Sequence, residues 1–181
     1  WRAGLIKVAT SGAEPDARDQ RNLRAAAQAS VRTGAPILTH CEDGQGGLAQ
    51  IALLTEAGVP SSSVILSHVD KARDLDYLRE LASTGAVLEF DQGVREHGVG
   101  AASWSLGGIV ALVEDGYGDQ IVVGTDGARR TLWHALGGTP GLAWLASTLP
   151  NLLAAAGLGA EQISAVMRDN AARALAWRDS A

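Results

Sequence analysis

Five short apolar runs recur along the chain, and each closes on a polar residue: "GLIKVATSG" from Gly4, "APILTHCEDG" from Ala35, "SVILSHVD" from Ser63, "AVLEFD" from Ala86 and "DQIVVGTDG" from Asp119. The runs are near-continuous rather than alternating. That is the pattern of strands covered on both faces, as in a parallel sheet flanked by helices. Between them stand stretches of helical period: "PDARDQRNLRAAAQASVRTG" stopping near Gly34, "GGLAQIALLTEAG" at Gly58, "ARDLDYLRELASTG" at Gly85 and "SLGGIVALVEDGYG". Gly after the last periodic residue is a helix stop. Two more helices are predicted after the last strand, over Thr139 to Ala156 and Ala160 to Trp177. Strand–helix alternation with short connections gives an α/β fold.

The spacing carries the argument from fold to site. From Lys7 to His40 is 33 residues, from His40 to His68 is 28, and from His68 to Asp126 is 58, with "AVLEFD" in between. One βα unit takes roughly 30 residues. Four polar residues thus occupy the same place in their units, the C-terminal end of the strand. In a barrel those ends converge on one pocket, whereas in an open sheet some lie far apart. A full barrel has eight strands and about 250 residues; this chain has 181 residues and five runs. The expectation is a partial (β/α)8 TIM barrel, strands four to eight with C-terminal helices, forming a single domain over residues 1–181. The chain opens on Trp1, almost directly on a strand, and a homo-oligomer or an N-terminal segment is expected to supply what is missing.

His40 and His68 are neutral ligands of the kind zinc-like ions take, or else structural imidazoles bonded to loop carbonyls. Asp126 can bind a metal and accept a proton from water, or cap a helix start. Lys7 sits inside "LIKVA", where an unpaired Lys is rare. Either it snorkels at a strand end or it faces the pocket. An ammonium cannot ligate a metal, but the carbamate formed with CO2 can. Weaker candidates are Glu42, Asp43 and Asp70 as partners of the imidazoles, Asp91 as a loop cap or substrate contact, and Arg129 and Arg130 for an anionic group. His97 falls in a Gly-containing loop, a candidate cover for the pocket, and Trp104 and Trp133 read as packing residues or as candidates for its mouth.

The only cysteine, Cys41, excludes an internal disulfide and reads as a buried small residue. It fits a reducing, cytoplasmic setting. A net charge of -5 without basic runs argues against a nucleic-acid partner. No apolar run reaches membrane-spanning length.

Taken together in this order, "GLIKVATSG", "PILTHCEDG", "VILSHVD", "VLEFD", "VVGTDGARR" and "DNAARAL" resemble the phosphotriesterase-related family of the amidohydrolase superfamily, in its C-terminal portion. The resemblance implies a barrel with two divalent metal ions, zinc-like, and no other cofactor-binding residues. It implies that Lys7 is the carboxylated lysine bridging the metals, that His40 and His68 serve one metal, and that Asp126 binds the other and shuttles protons. It also implies a lactone, another carboxylic ester or a phosphotriester as substrate. The family's His-x-His pair is absent from this chain, which leaves one implied metal short of two ligands. Three alternatives stand beside this reading: a hydrolase of a cyclic amide, a catalytically incomplete homologue with a binding or structural role, and a sugar-phosphate barrel enzyme.

Overall fold

The computed structural model describes residues 3–96 and 103–178. The five runs form strands β1 (Ile6–Lys7), β2 (Ile37–His40), β3 (Val64–Ser67), β4 (Val87–Phe90) and β5 (Ile121–Val123). They pair in parallel in the order β1-β2-β3-β4-β5. Between them run α1 (Ala17–Thr33), α2 (Gly47–Glu56), α3 (Leu75–Ser83) and α4 (Trp104–Glu114). Helix α1 starts where the Asp16 carboxylate accepts from the backbone N–H groups of Arg18 and Asp19. It stops at Gly34, whose φ of 76° closes the last turn.

The partial-barrel expectation, strands four to eight with C-terminal helices, is corrected here. The strands make one continuous parallel sheet with alternating helices through nearly the whole chain, the pattern of a (β/α)-barrel-like domain. A repeat of about 30 residues marks how many units follow one another. Each unit is alike in length, so the period assigns no unit a place within a larger barrel.

The predicted helix over Thr139 to Ala156 is two pieces, α5 (Trp144–Ser147) and α6 (Leu149–Ala155). Pro150 stands at the start of α6 and has no N–H to continue the bonding of α5, so the helix breaks at Thr148. The last predicted helix forms as α7 (Ala160–Ser164), a π-helical stretch (Ala165–Asp169) and α8 (Asn170–Ala174). Among the described residues, no helix is long and apolar enough to cross a membrane.

Side chains alternate across the sheet. Ile37, Val64, Leu66, Leu88, Phe90 and Ile121 belong to the main core, with Leu23, Leu54, Leu78, Leu81 and Leu112 of the helices. The intervening residues Ile65, Val87 and Val122 make a much smaller cluster with Leu38, Ala171 and Ala174. Further along the strands, the face that carries this small cluster turns polar. There stand Lys7, Ser67, Glu89, Asp91 and Asp126, at the end of the sheet where the sequence placed the site.

Candidate metal centre

Three strand ends meet. His68 Nδ1 lies 2.5 Å from Asp91 Oδ2 and 3.9 Å from Asp126 Oδ2. One ligand atom from each of His68, Asp91 and Asp126 falls within 4.8 Å of the others. Asp91 is 2% exposed, His68 12% and Asp126 19%. Two of the three residues have left-handed backbone, His68 with φ 66° and Asp126 with φ 37°. Non-glycine residues in that region carry strain, and such strain gathers at functional sites.

The donor set suits a divalent cation. His68 Nδ1 is buried and makes no hydrogen bond among the described residues, while it stands in ion-pair contact with Asp91 Oδ2. An unprotonated Nδ1 facing two carboxylates is repulsive. A cation among the three groups would satisfy all of them, and one nitrogen with two carboxylate oxygens is a donor set zinc accepts.

The polar face around the cluster is electrostatically strained. Burial pushes the Glu89 carboxyl above the usual range; a Ser67 hydrogen bond opposes this, Asp91 adds to it and Lys7 opposes it. Lys7 is exposed along its stem at the β1 edge, yet its ammonium donates to Thr39 O at 2.8 Å and to Ser67 Oγ at 3.4 Å. Desolvation of that end lowers its pKa, against the pull of Glu89, Cys41, Asp91 and Asp126. Gly124 leaves little room for a side chain. A Cβ there would come within 2.5 Å of Glu89 Oε1 and 3.2 Å of Asp91 Cβ.

Of the four residues predicted from the sequence, His68 and Asp126 come together in the cluster. His40 is their neighbour, its ring edge-on to that of His68 at 4.6 Å between centroids. Its Nε2 pairs with Glu42 Oε2 at 2.9 Å. This contact is the first cause that lowers the Glu42 pKa. Lys7 lies on the same face without entering the cluster. Asp91, read as a loop cap or substrate contact, is the third member. The signal for it was the strand-end rule itself, since "AVLEFD" ends on a carboxylate as "IVVGTD" does.

The weaker candidates separate. Among the described residues Asp70 orients no imidazole; it is buried beneath the loop after β4, accepting from Gln92 N–H at 2.9 Å and from the Ser105 hydroxyl at 2.7 Å. Cys41 is fully buried, and burial pushes its thiol up to about 11. The indole N–H of Trp133 donates to Gly127 O at 2.7 Å, next to Asp126, with the ring exposed. Trp104 packs against the main core. His97 lies outside the described residues.

Similarity to known proteins runs along the same elements. The chain is 38% identical over 129 residues to a phosphotriesterase homology protein of Mycobacterium tuberculosis, covering 69% of this chain and 38% of that one. It is 30% identical over 182 residues to a phospho-furanose lactonase of Mycoplasmopsis synoviae, covering 97% and 51%. It is 32% identical over 136 residues to an N-acetyltaurine hydrolase of Dictyostelium discoideum, covering 69% and 37%. The crystal structure of the lactonase Lmo2620 from Listeria monocytogenes superposes with a TM-score of 0.91 at 29% identity, covering 99% of this chain and 56% of that one. The chain spans about half the length of these relatives.

The resemblance had been placed in the C-terminal portion of a family. It is corrected to one running along nearly the whole chain, since the model of the phosphotriesterase family matches residues 1–175. With that match laid over a sheet whose strand ends gather His68, Asp91 and Asp126, the chain belongs to the phosphotriesterase family.

Proposed function

We propose that the chain is a metal-dependent hydrolase of ester-like bonds, with a lactone as first substrate, another carboxylic ester next and a phosphotriester as a further activity. The observation that carries this reading is the His68, Asp91 and Asp126 cluster, with its buried imidazole nitrogen held against two carboxylates. The lactonases among its relatives support the choice of substrate.

The residues proposed to hold two divalent cations, zinc by their donor types, are Lys7, His40, His68 and Asp126, with Asp91 beside them. Such cations lower the pKa of water and polarise a carbonyl or phosphoryl oxygen. Asp126 takes the proton of the attacking water and passes it toward the leaving oxygen. Lys7 contributes as its carbamate: the neutral amine adds to CO2 and loses a proton, leaving an anionic oxygen ligand. Desolvation at Lys7 lowers its pKa, the direction that supplies neutral amine. Burial of Asp91 and His68 restricts water at the reacting end. The single cysteine keeps the reading of a reducing, cytoplasmic setting.

An amide bond is the second reading, favoured by the likeness to an N-acetyltaurine hydrolase. Chain stripped of metal with a chelator and titrated calorimetrically with Zn2+ tests the site. The expected result is saturable binding, at least ~100-fold weaker in His68→Ala, together with lactone hydrolysis that appears only in the reloaded protein. Unchanged Zn2+ binding in His68→Ala would remove this residue from the centre.

A further inference from the structure

The loop after β4 touches both carboxylates of the cluster. Gln92 Nε2 donates to Asp91 Oδ1 at 2.5 Å, and Gln92 Oε1 accepts from Arg95 Nη1 at 3.1 Å. Arg95 Nη2 donates to the backbone carbonyl of Asp126 at 2.9 Å and forms an ion pair with the Asp126 carboxylate. One guanidinium therefore grips both the main chain and the side chain of a single residue. That residue is Asp126, whose backbone is left-handed.

The two gripping side chains are themselves fixed. The backbone N–H of Gln92 is bonded to buried Asp70. Arg95 N–H closes a turn onto Gln92 O at 2.8 Å. The next residue, Glu96, accepts from the Ser103 hydroxyl at 2.6 Å and from Ser105 N–H at 3.0 Å, which ties the loop to the start of α4. The Arg95 side chain is only 17% exposed, and its Nε is buried with no hydrogen bond among the described residues.

We infer that Gln92 and Arg95 form a brace that positions the Asp91 and Asp126 carboxylates for a divalent cation. This rests on the reading of the cluster as a metal centre. Two carboxylates facing one point repel each other, and without restraint they turn away. The amide of Gln92 fixes one of them, the guanidinium fixes the other, and the Gln92–Arg95 bond sets their relation. The positive charge of Arg95 offsets part of the repulsion before any cation arrives. The same guanidinium read as a mere competitor for the Asp126 carboxylate predicts the opposite sign: removing it would tighten metal binding. Arg95 and Gln92 are positioning residues in this scheme, since they act through Asp91 and Asp126.

The test is a Co2+ titration of the full chain after chelation, followed by calorimetry and by the visible absorption of the bound ion. Arg95→Ala is expected to weaken Co2+ binding about 10- to 100-fold and to move the absorption bands as Asp126 changes its presentation. Arg95→Lys keeps the charge and loses the planar fork, so its affinity should fall between parent and Arg95→Ala. Gln92→Met cuts the link to Asp91 at similar side-chain length and should also weaken binding with shifted bands. This variant carries the test if Arg95→Ala fails to fold. Affinity and bands unchanged in Gln92→Met, or tighter binding in Arg95→Ala, would overturn the brace. A parent chain that takes up no Co2+ would instead overturn the metal-centre reading and the brace with it.

Discussion

Asp70→Asn isolates the electrostatic stress stored beside the site. Asp70 is 1% exposed. Its Oδ2 holds two hydrogen bonds, while Oδ1 is buried and unbonded among the described residues. Burial first, and the Asp91 charge second, push its carboxyl from 3.8 up to about 6; Gln92 N–H and the Ser105 hydroxyl pull the other way. An acid whose folded pKa is raised gives its full contribution to stability only below the unfolded value. That contribution is lost as pH rises through the folded value. The gap between the two pKa values corresponds to a loss on the order of 3 kcal/mol by pH 8, with about half of it incurred above pH 5. Asparagine keeps the acceptor for Gln92 and Ser105, and its Nδ2 takes the place of the unbonded oxygen. That exchange adds a constant offset but no titration. Urea unfolding of metal-free parent and variant at several pH values is the assay. The parent is expected to lose roughly 1.5 kcal/mol relative to Asp70→Asn between pH 5 and pH 8. Parallel stability profiles over that range would show that Asp70 ionises in the fold as freely as in the unfolded chain, and the reasoning from burial would fail.

Two further outcomes concern the cluster itself. Asp126→Asn should lower lactone turnover by about 100-fold or more, as loss of a positioned proton acceptor does, while urea unfolding stays near that of the parent; normal turnover would end the proton-transfer role. Gly124→Ala should destabilise the chain by about 1–3 kcal/mol and weaken Zn2+ binding as well, because the new Cβ displaces Glu89 and Asp91; denaturation and calorimetry on one preparation check both.

The strands and their polar ends were legible because period, length and glycine stops all act locally. What the sequence withheld is how each strand end aims its side chain. His40 and Lys7 stand at the right height on the sheet, and their contacts here, with Glu42 two residues on and with Thr39 O on the next strand, are ones that the strand pattern does not announce. Asp91 was undervalued because a carboxylate after a strand caps loops as readily as it binds metal. The break in the helix after β5 is written in Pro150, whose missing N–H overrides the apolar period around it.

His68 shows most directly why strand periodicity alone cannot build the site. Val64 and Leu66, four and two residues earlier, face the helices in the main core, and strict alternation would send the imidazole the same way. Continued as extended strand, residue 68 would bury a polar ring under α2 and α3, away from Asp91 and Asp126. Instead the backbone turns left-handed at this residue, with φ 66° and ψ 20°, and a 3-10 turn begins at Val69. The ring is thereby brought over the strand ends, into contact with both carboxylates. A non-glycine residue in that conformation costs roughly 1–3 kcal/mol. A chain selected only for folding would place Gly or Asn here. An imidazole at this position is explained by what its nitrogen meets, which ties the strained backbone and the metal centre to the same choice of residue.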